Sequence, residues 1–326
     1  MPYGNFQNPI GLVGRMLLSR QQAAYAALLR AGLEIAVRPF DYVLSKTNSR
    51  SKNLTANSEH PLLLIVGPPR AGTTLIYQFL AASLDVTYPT NLSSLFPRSL
   101  WNGNCSPAGS ALNVRSYFGQ TARISDPNDA FHIWNRWLGD DRYRTRTELA
   151  DGEAEDMRSL FNDWTMRKGK PFLNKNNRNC HCLAMLAEAL PKAYFIIVDR
   201  NPIAITRSLI RARESVQGSK SIGWGLLSQE RHVDESLGYV RDVCEQVQNV
   251  NRLIAEQSAL IDAARLIRVS YESFCDAPMS FAASVAQVEG VSLRDNPHSL
   301  PASIHRSHGR PLSDAEEQLM VECLAC

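Results

Sequence analysis

An apolar run, Leu62 to Val66, ends in Gly67-Pro68-Pro69-Arg70-Ala71-Gly72-Thr73-Thr74 and passes directly into an apolar helical pattern that reaches Leu80. A glycine-bearing turn between a buried strand and a helix start aims several backbone N–H groups at one point, and the field of the helix start favours negative charge there. Such a turn can cradle a phosphate. The outer spacing of Gly67 and Gly72 is that of a Walker A loop, but the position that needs lysine holds Thr73, and the cation, Arg70, stands three residues earlier. A magnesium-dependent kinase or ATPase is disfavoured on that ground.

The elements that must position this loop follow from the pattern on either side of it. The chain has 326 residues, 44% hydrophobic and 21% charged, enough to bury a sizeable α/β core. Short apolar strands are expected at Leu62–Val66, Pro171–Leu173, Tyr194–Val198 and Leu266–Val269, with helices between them over Thr74–Ser83, 131–168, Cys182–Leu190, 202–213, 236–260 and Pro278–Val288. That alternation predicts a central parallel sheet covered by helices on both faces. Residues 1–60 read as a helical extension, rich in Ala, Leu and Arg from about Gly14 to Tyr42, followed by a polar linker. The main α/β domain spans 61–300 with an irregular and helical insertion at about 86–170, and 301–326 form a basic loop and a short helix.

The net charge of +3 is too small to argue for nucleic acid. The seven cysteines are odd in number in a chain too long to need staples, so free thiols are expected, and no metal centre. No stretch approaches the ~20 apolar residues that cross a bilayer, so a cytoplasmic location is the default; a homo-oligomer stays open.

The loop resembles the 5′-phosphosulfate loop of sulfotransferases that use 3′-phosphoadenosine 5′-phosphosulfate (PAPS), which reads roughly Pro-Lys/Arg-Ser-Gly-Thr-Thr. The chain has Pro69-Arg70-Ala71-Gly72-Thr73-Thr74, with Ala71 in place of the usual serine. A second segment, Tyr194 to Arg213, resembles the family's strand–arginine–helix–serine element for the 3′-phosphate, with Arg200 and Ser208 in the matching places and Asn201 where aspartate is common. Arg200 offers a planar fork to a phosphate and Ser208 a hydroxyl, both near the carboxyl end of a central strand. The resemblance implies a P-loop nucleotide-hydrolase-like sulfotransferase fold, PAPS as donor and adenosine 3′,5′-bisphosphate (PAP) as product. It implies Pro69 to Thr74 around the 5′-phosphate, and Arg200 and Ser208 at the 3′-phosphate. The basic run from His305 to Arg310 resembles the loop that closes on that phosphate, which makes Arg306 and Arg310 candidates. Arg70 and Lys175 are the catalytic candidates, Lys175 by its match to the lysine that contacts the transferring group.

The general base is a gap. Where cytosolic animal members carry a histidine two residues after that lysine, the chain has Asn177, and the segment Tyr88-Pro89-Thr90-Asn91, nearest to the position of a glutamate base in other members, holds no carboxylate. His132, His181, Asp85 and Glu230–His232 are left as candidates. The tryptophans Trp101, Trp134, Trp137, Trp164 and Trp224, with Tyr143, could line a stacking pocket, which favours a carbohydrate or related hydroxyl acceptor. Two alternatives remain: a phosphotransferase with a degenerate Walker loop, which Asp199 would serve as a metal ligand, and a non-catalytic nucleotide-binding or scaffold protein.

Overall fold

A computed structural model describes residues 8–47, 59–99, 116–140, 146–226, 236–295, 300–307 and 311–325. Its centre is a four-stranded sheet built from β1 (Leu62–Val66), β4 (Phe172–Lys175), β5 (Ala193–Asp199) and β6 (Leu266–Ser270), in the order β4-β1-β5-β6. Every pairing is parallel, with Ile65 opposite Lys175 and Ile196, and Asp199 opposite Ser270. Parallel strands need helical crossovers, and these bury both faces. Side chains alternate accordingly. Leu63, Ile65, Leu173, Ile196 and Val198 enter one core with α3 (Thr73–Ser83), α7 (Pro202–Gln217) and the first half of α8 (Gly238–Ser258). Leu62, Leu64, Val66, Phe172, Phe195 and Ile197 enter the other, with α4 (Phe131–Leu138), α5 (Glu153–Lys168) and α6 (Leu183–Ala189).

The strand order fixes where a ligand can enter. The chain leaves β1 toward β4 on one side, and leaves β5 toward β6 on the other. Between two neighbouring strands whose onward connections diverge, a crevice opens at their carboxyl ends. Here that crevice lies between Gly67 and Arg200, the residues that follow β1 and β5.

The sequence reading is refined in several places. The helical span 131–168 is two helices, α4 and α5, bounded by Gly139 and Gly152 in the positive-φ region. The irregular insertion holds a short hairpin, β2 (Ser116–Tyr117) and β3 (Gln120–Thr121), whose turn is Phe118-Gly119. The amino-terminal helices are α1 (Pro9–Leu18) and α2 (Gln22–Thr47), longer than the sequence pattern indicates. Met16, Ala23 and Ala24 pack on Tyr117 of the hairpin, and Arg15 donates to the carbonyls of Ser215 and Val216 at the end of α7. The outer face of α2 leaves Leu29, Leu33, Phe40 and Val43 exposed.

After β6 come α9 (Tyr271–Asp276), α10 (Pro278–Val285) and the last helix, α11 (Asp314–Leu324), which is tied to the sheet's helical cover by buried charge. Glu316, itself 3% exposed, receives bonds from Lys220 (2.8 Å), Tyr239 (2.7 Å) and Ser313 (2.6 Å). Burial alone would raise this carboxyl; its hydrogen bonds from Lys220, Ser313 and Tyr239 outweigh that and hold it down at about 2. The unfolded value is about 4.3, so the folded group is the stronger acid and its contribution is complete above that pH. Stability should therefore fall as pH drops from about 4 to about 2, and Glu316→Gln should remove most of that slope while costing on the order of 2 kcal/mol near neutrality. Urea midpoints of both proteins across that range check this; parallel pH profiles would show that Glu316 is not the group responsible.

Candidate functional site

The loop after β1 is held open by backbone geometry. Arg70 has φ +73° and Gly72 φ +93°, so two residues of the turn are left-handed. The amide of Ala71 donates to the carbonyl of Pro68 at 3.0 Å, so it is spent inside the turn. The amides of Gly72, Thr73 and Thr74 reach no acceptor among the described residues, and Gly72 caps α3 with no side-chain bond. Those N–H groups are the donors that a helix start leaves for an anion. Of the loop residues expected to bind, Pro69 is buried against Gly225, Ala71 is fully buried, Thr73 is nearly so, and Thr74 is half-buried beneath Gly119 of the hairpin turn.

The loop meets the second predicted segment directly. Arg70 Nε donates to Ser208 Oγ on α7 at 2.9 Å, and Arg200 Nη1 donates to the Arg70 carbonyl at 2.7 Å. Arg200 also donates to the Ser307 carbonyl and lies over the Tyr271 ring, 4.1 Å from its centroid. Arg70 lies over Phe118 of the hairpin turn at 5.2 Å. Two guanidinium groups thus share one crevice, and neither forms an ion pair with a carboxylate among the described residues. Burial and then the charge of Arg200 bring Arg70 down to about 10. Burial likewise lowers Arg200, against the pull of Tyr271 and Glu272. Arg200 Nε is buried with no hydrogen-bond partner.

Beside this pair opens a cleft of about 450 Å³, lined by Ile203, Arg207, Tyr271, Glu272, Arg306 and Ser307 among others. Arg306 reaches the cleft but is exposed and pairs with Asp276. Arg207 there pairs with Glu317 at 2.6 Å. Arg310 lies outside the described residues.

On the other side of β1, the end of β4 is a row of amides around one lysine. Asn174 takes a bond from Trp134 Nε1 and gives one to the Asn128 carbonyl; Asn176 gives one to the Asp129 carbonyl; Asn177 gives one to the Gly67 carbonyl at 3.0 Å. Lys175, 5% exposed, is paired with Asp129 at 2.8 Å. Parallel register sets Lys175 beside Ile65, two residues before Gly67, which brings it next to the loop. Asp129 is the charged residue of this site that sequence reading missed. It lies in an irregular stretch some 46 residues before its partner, and the bonds from Asn174 and Asn176 to the carbonyls of Asn128 and Asp129 bring the two together.

The remaining candidates fare differently. His132 is half-buried with its Nε2 enclosed and His181 is buried, and burial, then a neighbouring arginine, pushes each to about 4. A base must gain a proton at working pH, so both are poorly matched to that task. Asp85 pairs with Lys170 at 2.6 Å. Glu230–His232, Trp101 and Tyr143 lie outside the described residues. Trp134, Trp137 and Trp164 are at most 1% exposed and form the aromatic core with Phe161 and Phe172. The expectation that these three line a stacking pocket is therefore corrected: they fill the layer between α4, α5 and the sheet. The half-buried aromatic pair next to the loop is Phe118 and Trp224, edge to face at 6.1 Å. Asp199 faces a separate groove with Arg268, Ser270 and Phe281.

A family model described as the sulfotransferase family matches residues 61–295. The chain belongs to the sulfotransferase family. As a member it is an enzyme of sulfuryl transfer, on a P-loop-like fold. Among solved structures, sulfotransferase STF1 of Mycobacterium tuberculosis H37Rv is similar over 86% of this sulfotransferase and 81% of its own chain, at 12% identity and a TM-score of 0.52. Sulfotransferase STF9 of Mycobacterium avium matches 93% of this chain and 74% of its own, at 15% identity and a TM-score of 0.45. A sulfotransferase of Alicyclobacillus acidocaldarius matches 82% and 92%, at 13% and 0.45. At such identities the first shows the fold alone. No curated protein matches the sequence.

The turn of this sulfotransferase gives a direct test. A Cβ on Gly72 would lie 2.3 Å from Tyr271 Cδ2, at a φ that side chains avoid. Gly72→Ala should destabilise the protein by roughly 1–3 kcal/mol from backbone strain alone, and move Tyr271, on which Arg200 rests. An unchanged urea midpoint would show that the turn is not held as described.

Proposed function

We propose that this sulfotransferase moves the sulfuryl group of PAPS to a hydroxyl acceptor, releasing PAP. The observation that carries the reading is the uncompensated arginine pair. Arg200 donates to the Arg70 carbonyl, Arg70 in turn donates to Ser208 Oγ, and Arg200 Nε stays buried and unmatched. Two cations held by neutral groups in a partly dry crevice are costly unless an anion joins them. A donor set of two guanidiniums, a serine hydroxyl and three helix-start amides fits a molecule with phosphate at two positions.

PAPS, when bound, supplies the activated sulfuryl group and a phosphate leaving group. The amides of Gly72, Thr73 and Thr74 would hold the 5′-phosphate, and Arg200 with Ser208 the 3′-phosphate. Arg306 and Arg310 are proposed as the outer cations of that second site, Arg306 by exchanging Asp276 for phosphate. Arg70 within the loop and Lys175 at the neighbouring end of β4 would offset charge on the departing oxygen. Phe118 and Trp224 give the loop a small aromatic rim for a flat acceptor or base, a narrower surface than the tryptophan content of the chain suggests.

Because Arg200 holds the loop carbonyl and rests on Tyr271, which lines the cleft, its loss should be felt at both phosphates. Arg200→Ala should weaken PAP on the order of tenfold to a hundredfold, and adenosine 5′-phosphate by less. Calorimetry of both ligands, set beside ATP with and without magnesium, tests the reading. Tight, magnesium-independent binding of PAP is expected. Tighter binding of magnesium–ATP would return the chain to the phosphotransferase alternative.

A further inference from the structure

The missing base has a structural answer, and it rests on the PAPS reading above. We propose that Asp129 takes the proton of the acceptor hydroxyl. Although Asp129 lies in a long connection, hydrogen bonds hold it in place. The Asn128 carbonyl receives Asn174 Nδ2 at 3.2 Å, the Asp129 carbonyl receives Asn176 Nδ2 at 3.0 Å, and Asn128 Nδ2 reaches back to Asn91 Oδ1 at 2.9 Å. The backbone is thus pinned to alternate residues of the β4 end and to the segment before the hairpin. The carboxylate is left over the lysine. Oδ2 accepts from Lys175 Nζ at 2.8 Å, and Oδ1 takes no hydrogen bond from any described residue. Lys175 is nearly buried, whereas the Asp129 side chain is 21% exposed, so the pair shows its acidic member to the outside. Asn177, at the position where the family resemblance leads one to expect histidine, is engaged with the Gly67 carbonyl. That vacancy for a base and the part-exposed carboxylate of Asp129 both lie beside the end of β4.

The step balances without a further reactant. The acceptor oxygen bonds to sulfur, the bond from sulfur to the phosphate oxygen breaks, that oxygen keeps the electron pair, and the hydroxyl proton passes to Asp129 Oδ1. Lys175 connects the two events. As it turns toward the departing oxygen, its partner carboxylate loses a neighbouring cation, and a carboxylate without its cation is the stronger base. Proton uptake and leaving-group stabilisation are thereby coupled through one ion pair.

The test compares two acceptors that differ in their need for a base. p-Nitrophenol ionises near neutral pH unaided; phenol does not. With purified full-length protein and PAPS, Asp129→Asn should lose on the order of 10²–10⁴-fold in kcat with phenol, and less than about tenfold with p-nitrophenol. Asp129→Glu should recover part of the phenol rate. PAP affinity by calorimetry should be unchanged in both variants. Equal losses on the two phenols would make Asp129 only a positioner of Lys175 and overturn the proposal, as would unchanged rates. Loss of PAP binding in Asp129→Asn would assign it a structural role instead. A wild-type protein that binds PAP but transfers to neither phenol overturns the base assignment; one that binds no PAP overturns the donor reading beneath it.

Discussion

Two like charges held side by side set the terms for this molecule. Arg200 donates to the peptide carbonyl of Arg70, Arg70 donates to a serine hydroxyl, and the two rest on the faces of Tyr271 and Phe118. Hydrogen bonds and ring faces satisfy their shape without cancelling their charge. Burial first, and then the charge of Arg200, lowers the proton affinity of Arg70. Everything that holds the pair comes from a different part of the chain: the turn after β1, the turn after β5, the start of α9, the hairpin of the insertion and the carbonyl of Ser307. The crevice is therefore a meeting point of segments that have no reason to converge except to surround it.

The opposite side of β1 is organised by another rule. Four consecutive residues, Asn174 to Asn177, have their side chains committed to Trp134, Asn128, Asp129 and Gly67. Three of them are amides, which can donate and accept at once and carry no charge into the buried strand end. They fasten the insertion to the sheet and leave one ion pair, Lys175–Asp129, as the local charge. Buried polar groups are tolerable only when matched, and this row is matched almost completely.

How much of this was legible in the sequence follows from what each feature depends on. The strands announced themselves because both faces are buried, giving the uninterrupted apolar runs at Leu62 and Tyr194. The loop was legible because its donors are contiguous. Ser208, two helical turns beyond Arg200, comes beside the loop because α7 starts at the end of β5. What could not be read depends on contacts across the sheet. Asp129 is indistinguishable, in sequence, from Asp126 three residues earlier, which is buried and caps the amide of Arg123. The tryptophans misled for the opposite reason: a large aromatic residue fills a core or lines a pocket equally well by composition, and here the space between α4, α5 and β4 claimed three of them. The C-terminal basic run hid a further ambiguity, since the ion pair of Arg306 with Asp276 is a choice between partners that spacing does not encode.

The two polar clusters lie on either side of β1, and this division has a consequence for chemistry. A group transferred between two molecules needs a donor site and an acceptor site that share one boundary. The crevice between β1 and β5 gathers cations and free amides; the end of β4 gathers amides and a carboxylate beside a lysine. Gly67 stands between them, its carbonyl bonded from the β4 side by Asn177 and its Cα pressed against Val198 of β5 so closely that a Cβ would lie 2.7 Å from the Val198 carbonyl. A side chain at that position would push the end of β1 away from β5, beside both clusters. Cation and carboxylate stay in separate pairings across this boundary: Arg70, in the left-handed turn, donates to Ser208, Arg200 rests on Tyr271, and Asp129 pairs with Lys175.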